Sequence, residues 1–120
     1  AFLFDFKPLI VAGPGSFPDE VLRRAGCDNV ATTGGIYPRL GAEGLLALDP
    51  EIVIDGSAPG AYTGEPLEIL RGIEGLGSLG ALRGGRVGRL PGTSALRPGP
   101  RIAEGVLEVR KLVEQLGGLL

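Results

Sequence analysis

The sequence predicts an α/β domain, a mostly parallel, Rossmann-like sheet held between two layers of helices. Three observations point there. Short apolar runs such as Ile52-Val53-Ile54 have the length and continuity of strands buried on both faces. Other segments repeat apolar residues every three or four positions, as helices with one buried stripe do. The two kinds alternate along the chain, which favours parallel strands with helices on both sides. At 120 residues the chain is one domain with room for a real core.

The first strand covers residues 1–6, with Phe2, Phe4 and Phe6 alternating against Leu3 and Asp5. Residues 9–12 extend into a glycine turn. A helix over 17–25 follows, N-capped by the Ser16 hydroxyl, with Asp19 three residues on as in a capping box. Pro18 suits the first turn, where its missing N–H costs nothing, and Gly26 is a C-cap stop. Residues 29–31 read as a short strand and 32–40 as a loop holding Gly34, Gly35 and Pro38. A short helix over 42–48 ends at Asp49-Pro50, since a residue before proline avoids helical backbone.

Residues 51–55 form a buried strand, 56–64 a Gly/Ser/Pro loop, and 66–72 a helix. The stretch 75–80 is a softer turn, and 79–83 fits more than one conformation. Residues 86–90 form a strand, 91–98 a loop, and 100–116 the longest helix. Its stripe is Ile102, Val106, Val109, Val113 and Leu116, with Arg110 and Glu114 able to pair across one turn. Gly117-Gly118 stops it, and no internal repeat is visible.

Composition narrows the function. With 12 basic and 14 acidic side chains the chain has no basic excess for nucleic acid. Histidine is absent, so Ser-His, Cys-His and His-containing zinc sites cannot form within it. Cys27 has no disulfide partner in the chain and reads as a small buried residue at a helix end. No apolar run is long enough to span a membrane. There is no signal peptide and no initial methionine, and the chain reads as a fragment that opens directly in a strand. No P-loop or G-x-S-x-G elbow occurs, and Pro18 stands where a dinucleotide fingerprint needs its third glycine. The carboxylates of Asp49, Glu51 and Asp55 follow element edges without pairing for acid–base work, so no enzymatic activity is expected. No dense acidic loop offers oxygen ligands, so no metal site of the chain's own is expected either.

The residues left to carry function sit in three turns. Gly13, Pro14, Gly15, Ser16 and Phe17 join a strand to a helix start, where backbone N–H groups and the helix dipole suit a polar or anionic group. A plain strand-to-helix connection accounts for the same pattern. Tyr37, before Pro38, offers a flat ring with a polar tip and reads equally as a loop anchor. Thr93, Ser94 and Arg97 lie in a third loop, and Arg39 and Arg97 are cations able to grip carboxylates through paired N–H bonds. Tyr62 and Arg101 fit structural roles better. In a parallel sheet these turns would meet beyond the carboxyl ends of the strands.

A set of short motifs in fixed order goes further. Ala12-Gly13-Pro14-Gly15-Ser16-Phe17 is followed by Leu22 to Gly26, Asp28-Asn29-Val30, Tyr37-Pro38 and Ala42-Glu43-Gly44-Leu45-Leu46. Then come Asp49-Pro50-Glu51-Ile52-Val53-Ile54 and Arg97-Pro98-Gly99-Pro100-Arg101. This order resembles the C-terminal lobe of the helical-backbone, class III periplasmic substrate-binding proteins of ABC importers, which carry cobalamin, haem or ferric siderophores. The resemblance covers nearly the whole chain. It implies capture of a metal chelate outside the cytoplasm, with no intrinsic cofactor, by the 13–17 turn, Tyr37 and the 93–97 loop. It also implies an aromatic packed on the chelate at Tyr37, and a surface glutamate at Glu43 that docks on permease arginines. Near Glu43 a carboxylate also simply complements a helix start. The first lobe and connecting helix are absent, so a partner lobe or a dimer partner is implied. Two other readings stay open: a small nucleotide- or phosphate-binding enzyme domain using Gly13–Ser16, and a scaffold whose glycine turns are structural only.

Overall fold

Two residues separate the first two strands, and that spacing shapes the sheet. A computed structural model describes residues 1–6, 9–57, 64–90 and 102–117. Strand β1 (Phe2–Phe6) pairs antiparallel with β2 (Leu9–Val11), because a parallel return needs a crossover of about a dozen residues. A two-residue strand, β3 (Arg39–Leu40), pairs antiparallel with β2. On the other side β1 pairs in parallel with β4 (Val53–Asp55), which pairs in parallel with β5 (Val87–Arg89). The order is β3-β2-β1-β4-β5. The sheet is therefore mixed rather than mostly parallel in its pairings, with β2 the one reversed strand among those described.

Helices cover both faces, as the alternation of segments predicts. On one face lie α1 (Phe17–Arg24) and α5 (Ile102–Gln115), packed over Phe2, Ala12 and Ile54 through Val21, Leu22, Val109, Leu112 and Val113. On the other lie α2 (Ala42–Leu48), α3 (Pro66–Arg71) and α4 (Gly80–Arg83), over Leu3, Leu9, Val11 and Val53 through Leu45, Leu70, Leu79 and Leu82. Phe2 and Leu3 thus point to opposite faces, as neighbours in a strand must. Each such fully buried side chain contributes roughly 1.5–3 kcal/mol.

Four local expectations change. Phe6 does not share the face of Phe2. It packs in the cluster with Leu3, because a register irregularity between Leu3 and Asp5 resets the alternation. Residues 29–31 form no strand, and the pairing partner of β2 comes later, at Arg39–Leu40. The stretch 79–83 resolves as the short helix α4 after Leu79. Ala25, not Gly26, is the C-cap of α1, and Gly26 follows at φ +87°, the left-handed conformation that glycine tolerates best. Asp49 takes a left-handed φ of 45° at the end of α2, so the helix does stop before Pro50.

Cys27 follows α1 and is half-buried, and burial raises its thiol pKa above the usual range. Iodoacetamide should therefore react slowly with the folded chain at neutral pH. The inflection of rate against pH should lie above that of the urea-unfolded chain. Equal inflections would mean the thiol is as open as in the unfolded state.

Candidate functional site

The site grows from the end of β2. Val11 N–H donates to the Pro38 carbonyl at 3.2 Å, and Gly13 N–H donates to the Ile36 carbonyl at 2.6 Å. Residues 36–38 are thereby strapped along the glycine turn. Only glycine fits at position 13: a Cβ there would overlap the Gly35 carbonyl oxygen and stand 2.8 Å from Pro38 Cδ. Two of the three predicted turns, 13–17 and the one around Tyr37, are thus brought together.

They meet at a different place from the one expected. Because β2 is reversed, its end lies beside the start of β1, and Ala12 N–H donates to the Phe2 carbonyl at 2.9 Å. The carboxyl ends of the parallel strands β4 and β5 instead carry Asp55 and Arg89. Asp55 is buried and accepts from Arg89 Nε at 2.8 Å, while its other oxygen accepts from the Ser57 N–H at 2.9 Å and Ser57 Oγ at 2.6 Å. Arg89 also donates to the Gly64 carbonyl at 2.8 Å. The sequence reading left Asp55 unpaired. Its partner is 34 residues away, in the neighbouring strand.

At the start of α1 the cap forms as predicted. Ser16 Oγ accepts from Asp19 N–H at 3.1 Å and donates to the Gly13 carbonyl at 2.7 Å. The return bond of the capping box is displaced by one residue: Asp19 accepts from Gly15 N–H at 3.3 Å, and Ser16 N–H goes to the Gly13 carbonyl at 3.2 Å. Asp19 is itself buried, and accepts further from Asn29 Nδ2 at 2.9 Å and from Arg23 at 3.3 Å. The expectation of free N–H groups facing an anion is corrected here. The amides of Gly13, Gly15, Ser16 and Asp19 are bonded within the protein, and a carboxylate of the chain stands at the positive helix end. This removes the basis for a phosphate cradle at Gly13–Ser16.

The sequence places Asn29 in a short strand, whereas in the structure its side chain does the work. Nδ2 donates to the Ala12 carbonyl and to Asp19 Oδ1, both at 2.9 Å, and Oδ1 accepts from Ala31 N–H at 3.1 Å. It ties the loop after α1 to both sides of the turn. Asn29→Asp should cost more than Asn29→Ala, about 3 kcal/mol against about 2, because it removes the donor and adds a second carboxylate beside Asp19. Urea unfolding checks the order, and a milder Asn29→Asp would remove this role.

Above the turn lies an aromatic pair. The Tyr37 ring stands 4.8 Å from that of Phe4, centroid to centroid, tilted by 40°. Phe4 is 40% exposed and Tyr37 42%, and Ile36 beside it in sequence is 54% exposed. These are three of the four large hydrophobic side chains exposed among the described residues. The sequence singled out Tyr37 but treated Phe4 as a strand residue. The middle phenylalanine of an alternating strand carries no local sign that it remains in solvent.

Of the other candidates, Pro14 is half-buried, Gly15 is exposed at φ +86°, and Phe17 is half-buried against the α1/α5 core. Arg39 is exposed in β3, opposite Ile10. Glu43 is exposed in the first turn of α2, two residues after its Gly41 cap. Thr93, Ser94 and Arg97, like Tyr62 and Arg101, lie outside the described residues. Among the described residues no group of three or more Cys, Asp or Glu is placed to hold a metal ion, and no helix is long and apolar enough to cross a membrane.

No protein-family model matches the sequence, and no curated protein does. Solved structures do match. Superposition on the periplasmic heme-binding protein BhuT, in complex with two hemes, gives a TM-score of 0.82 at 26% identity, over 96% of this chain and 43% of that one. A periplasmic heme-binding protein from Pseudomonas aeruginosa matches at 35% identity and a TM-score of 0.67, over 82% of this chain and 35% of that one. The periplasmic vitamin B12-binding protein BtuF of Vibrio cholerae shares the fold, at a TM-score of 0.73 and 22% identity, over 97% of this chain and 44% of that one. The chain thus spans less than half the length of each of these proteins, as a single lobe would. None of the three is an enzyme by its description. With a five-stranded sheet between two helical layers, matched over almost its whole length by one part of these proteins, the chain belongs with the class III periplasmic substrate-binding proteins.

Proposed function

We propose that this chain is the C-terminal lobe of the binding component of an ABC importer. It works outside the cytoplasm, captures a metal chelate such as haem, cobalamin or a ferric siderophore against a second lobe, and delivers it to a permease. The observation that carries the reading is the exposed Phe4–Tyr37 ring pair, strapped to the glycine turn on a lobe whose neighbours bind heme and B12. A large apolar area left in solvent on a rigid support is what a ligand-facing wall requires. The missing half of the contacts would come from a first lobe or from a second copy of the chain. Arg39, with Thr93, Ser94 and Arg97, would add polar contacts. Glu43 would face the permease.

The experiment is an amide NMR titration of the chain with haem, cobalamin and a ferric siderophore at millimolar levels. Selective changes at residues 13–17 and 36–38, and at Phe4, are the expected result. Changes confined to the cleft lined by Leu22, Cys27, Asp28, Glu51 and Val113, with none at the aromatic pair, would overturn the placement. No response to any chelate at millimolar levels would overturn binding by this lobe.

A further inference from the structure

The sheet ends in an edge whose backbone and side chains complement a second copy of themselves. Among the described residues no strand lies beyond β3. The carbonyls of Ile36 and Pro38 accept from Gly13 and Val11, and Leu40 stands opposite Leu9. Positions 36, 38 and 40 therefore turn their backbone groups toward β2. By alternation the N–H and C=O of Tyr37 and Arg39 point away from the sheet. Pro38 does not guard this edge, because its nitrogen lies on the inner side. We propose that the edge pairs antiparallel with the same edge of a second copy of the chain, about a two-fold axis at Pro38.

The register follows from which residues face outward. Opposed antiparallel residues exchange both N–H···O bonds only where their backbone groups point at each other. With Pro38 opposite Pro38, Tyr37 of each copy faces Arg39 of the other, and both pairs exchange both bonds, about four in all. The side chains agree with this register. Arg39 is the one charge and Tyr37 the one aromatic ring between Gly35 and Gly41. The Tyr37 ring leans on Phe4, and the exposed Arg39 of the second copy reaches its outer side as a cation–π partner. Ile36, 54% exposed, gains the half-buried Leu40 of the second copy as an apolar neighbour across the strands. Sliding the pairing one repeat in one direction sets Arg39 against Arg39, like charges face to face. Sliding it the other way sets Arg39 against Gly35, whose φ of +94° is not that of a strand.

A charged residue on an edge usually deters pairing. Here the two-fold axis places that charge on a ring instead of on its own kind. The opposite edge of the sheet lacks this fit, since Arg89 of β5 is already held by Asp55 and Gly64. The contact at β3 is short. It falls below the roughly 1,200 Å² of a standard interface, so the dimer is weak and reversible. The pairing does not depend on what the lobe binds, because it uses the outward backbone of β3 and no ligand.

The test is sedimentation equilibrium of the ligand-free chain from about 10 μM to about 1 mM, where a weak dimer shows itself. The average mass should rise from monomer toward dimer. Arg39→Pro removes an outward N–H and no bond to β2, and should weaken the dimer at least tenfold by the loss of two backbone bonds. Arg39→Lys keeps the N–H and the charge, and should stay within about threefold of the parent. Amide exchange of the parent chain gives a second measure that needs no variant. The Tyr37 and Arg39 amides should exchange more slowly at the highest concentration, while those of α5 do not change. A monomer mass throughout would overturn the proposal. A dimer that Arg39→Pro leaves as tight, or one in which the Tyr37 and Arg39 amides gain no protection, would place the contact elsewhere and overturn it too. Each of these failures leaves the ligand reading as it stands, and failure to bind any chelate leaves the pairing as it stands.

Discussion

Gly13→Ala is expected to lower the unfolding free energy by about 3 kcal/mol. The added methyl group overlaps the Gly35 carbonyl oxygen and presses on Pro38 Cδ at 2.8 Å, and neither is the free end of a flexible side chain. Relief requires the 35–38 segment to move off the turn, which stretches the 2.6 Å bond from Gly13 N–H to the Ile36 carbonyl. Overpacking of this kind costs about 1–3 kcal/mol, and a buried amide left without its partner costs a similar amount. Gly15→Ala is the control. Gly15 has a left-handed φ of +86° but open space around it, so alanine there meets only backbone strain, about 1 kcal/mol. Urea unfolding of both variants gives the comparison. A Gly13→Ala chain as stable as Gly15→Ala would mean that the strap is loose. The same substitution should displace Tyr37 from Phe4, so ligand-induced shifts at the pair should vanish with it.

Glu43→Lys, placed in the two-lobe protein, is expected to reduce transport at least tenfold while leaving chelate affinity within about twofold. Glu43 is exposed on the first turn of α2, whereas the aromatic pair and the glycine turn belong to β1, β2 and the 36–38 segment. Reversing a charge at a charge-paired interface replaces attraction by repulsion, which costs several kcal/mol in docking. The lysine also opposes the helix dipole, at about 0.3–1 kcal/mol, so Glu43→Gln serves to separate charge pairing from helix stability. Gln should transport at an intermediate rate, with an unfolding midpoint close to that of the parent chain. Equal loss of affinity and transport would place Glu43 in ligand binding, and unchanged transport would end the docking role.

What the sequence determined by itself was everything that depends on neighbours a few residues apart. The cap of α1 was legible because Ser16, Pro18 and Asp19 lie within one turn of each other, and their bonds form whatever the rest of the chain does. The end of α2 was legible in Asp49-Pro50, and the α5 face in its three- and four-residue spacing, with Val109 and Val113 buried as read. The ordered short motifs gave the family, which the match to heme-binding proteins over nearly the whole chain bears out. Tertiary structure alone decided the rest. The two-residue spacing after β1 already reverses β2; what only the assembled sheet decided is that β1 pairs in parallel with β4 on its other edge, which sets the glycine turn at the opposite end of the sheet from Asp55 and Arg89. The irregularity between Leu3 and Asp5 sends Phe6 inward and leaves Phe4 outward, although the alternating pattern puts both on one side. Asp19 and Asp55 have the sequence look of surface carboxylates. They are buried because Asn29 and Arg89 are brought to them by packing, ten and 34 residues along the chain. Caps and periodicity act through bonds to nearby backbone, whereas register and burial depend on contacts that exist only once the sheet has assembled.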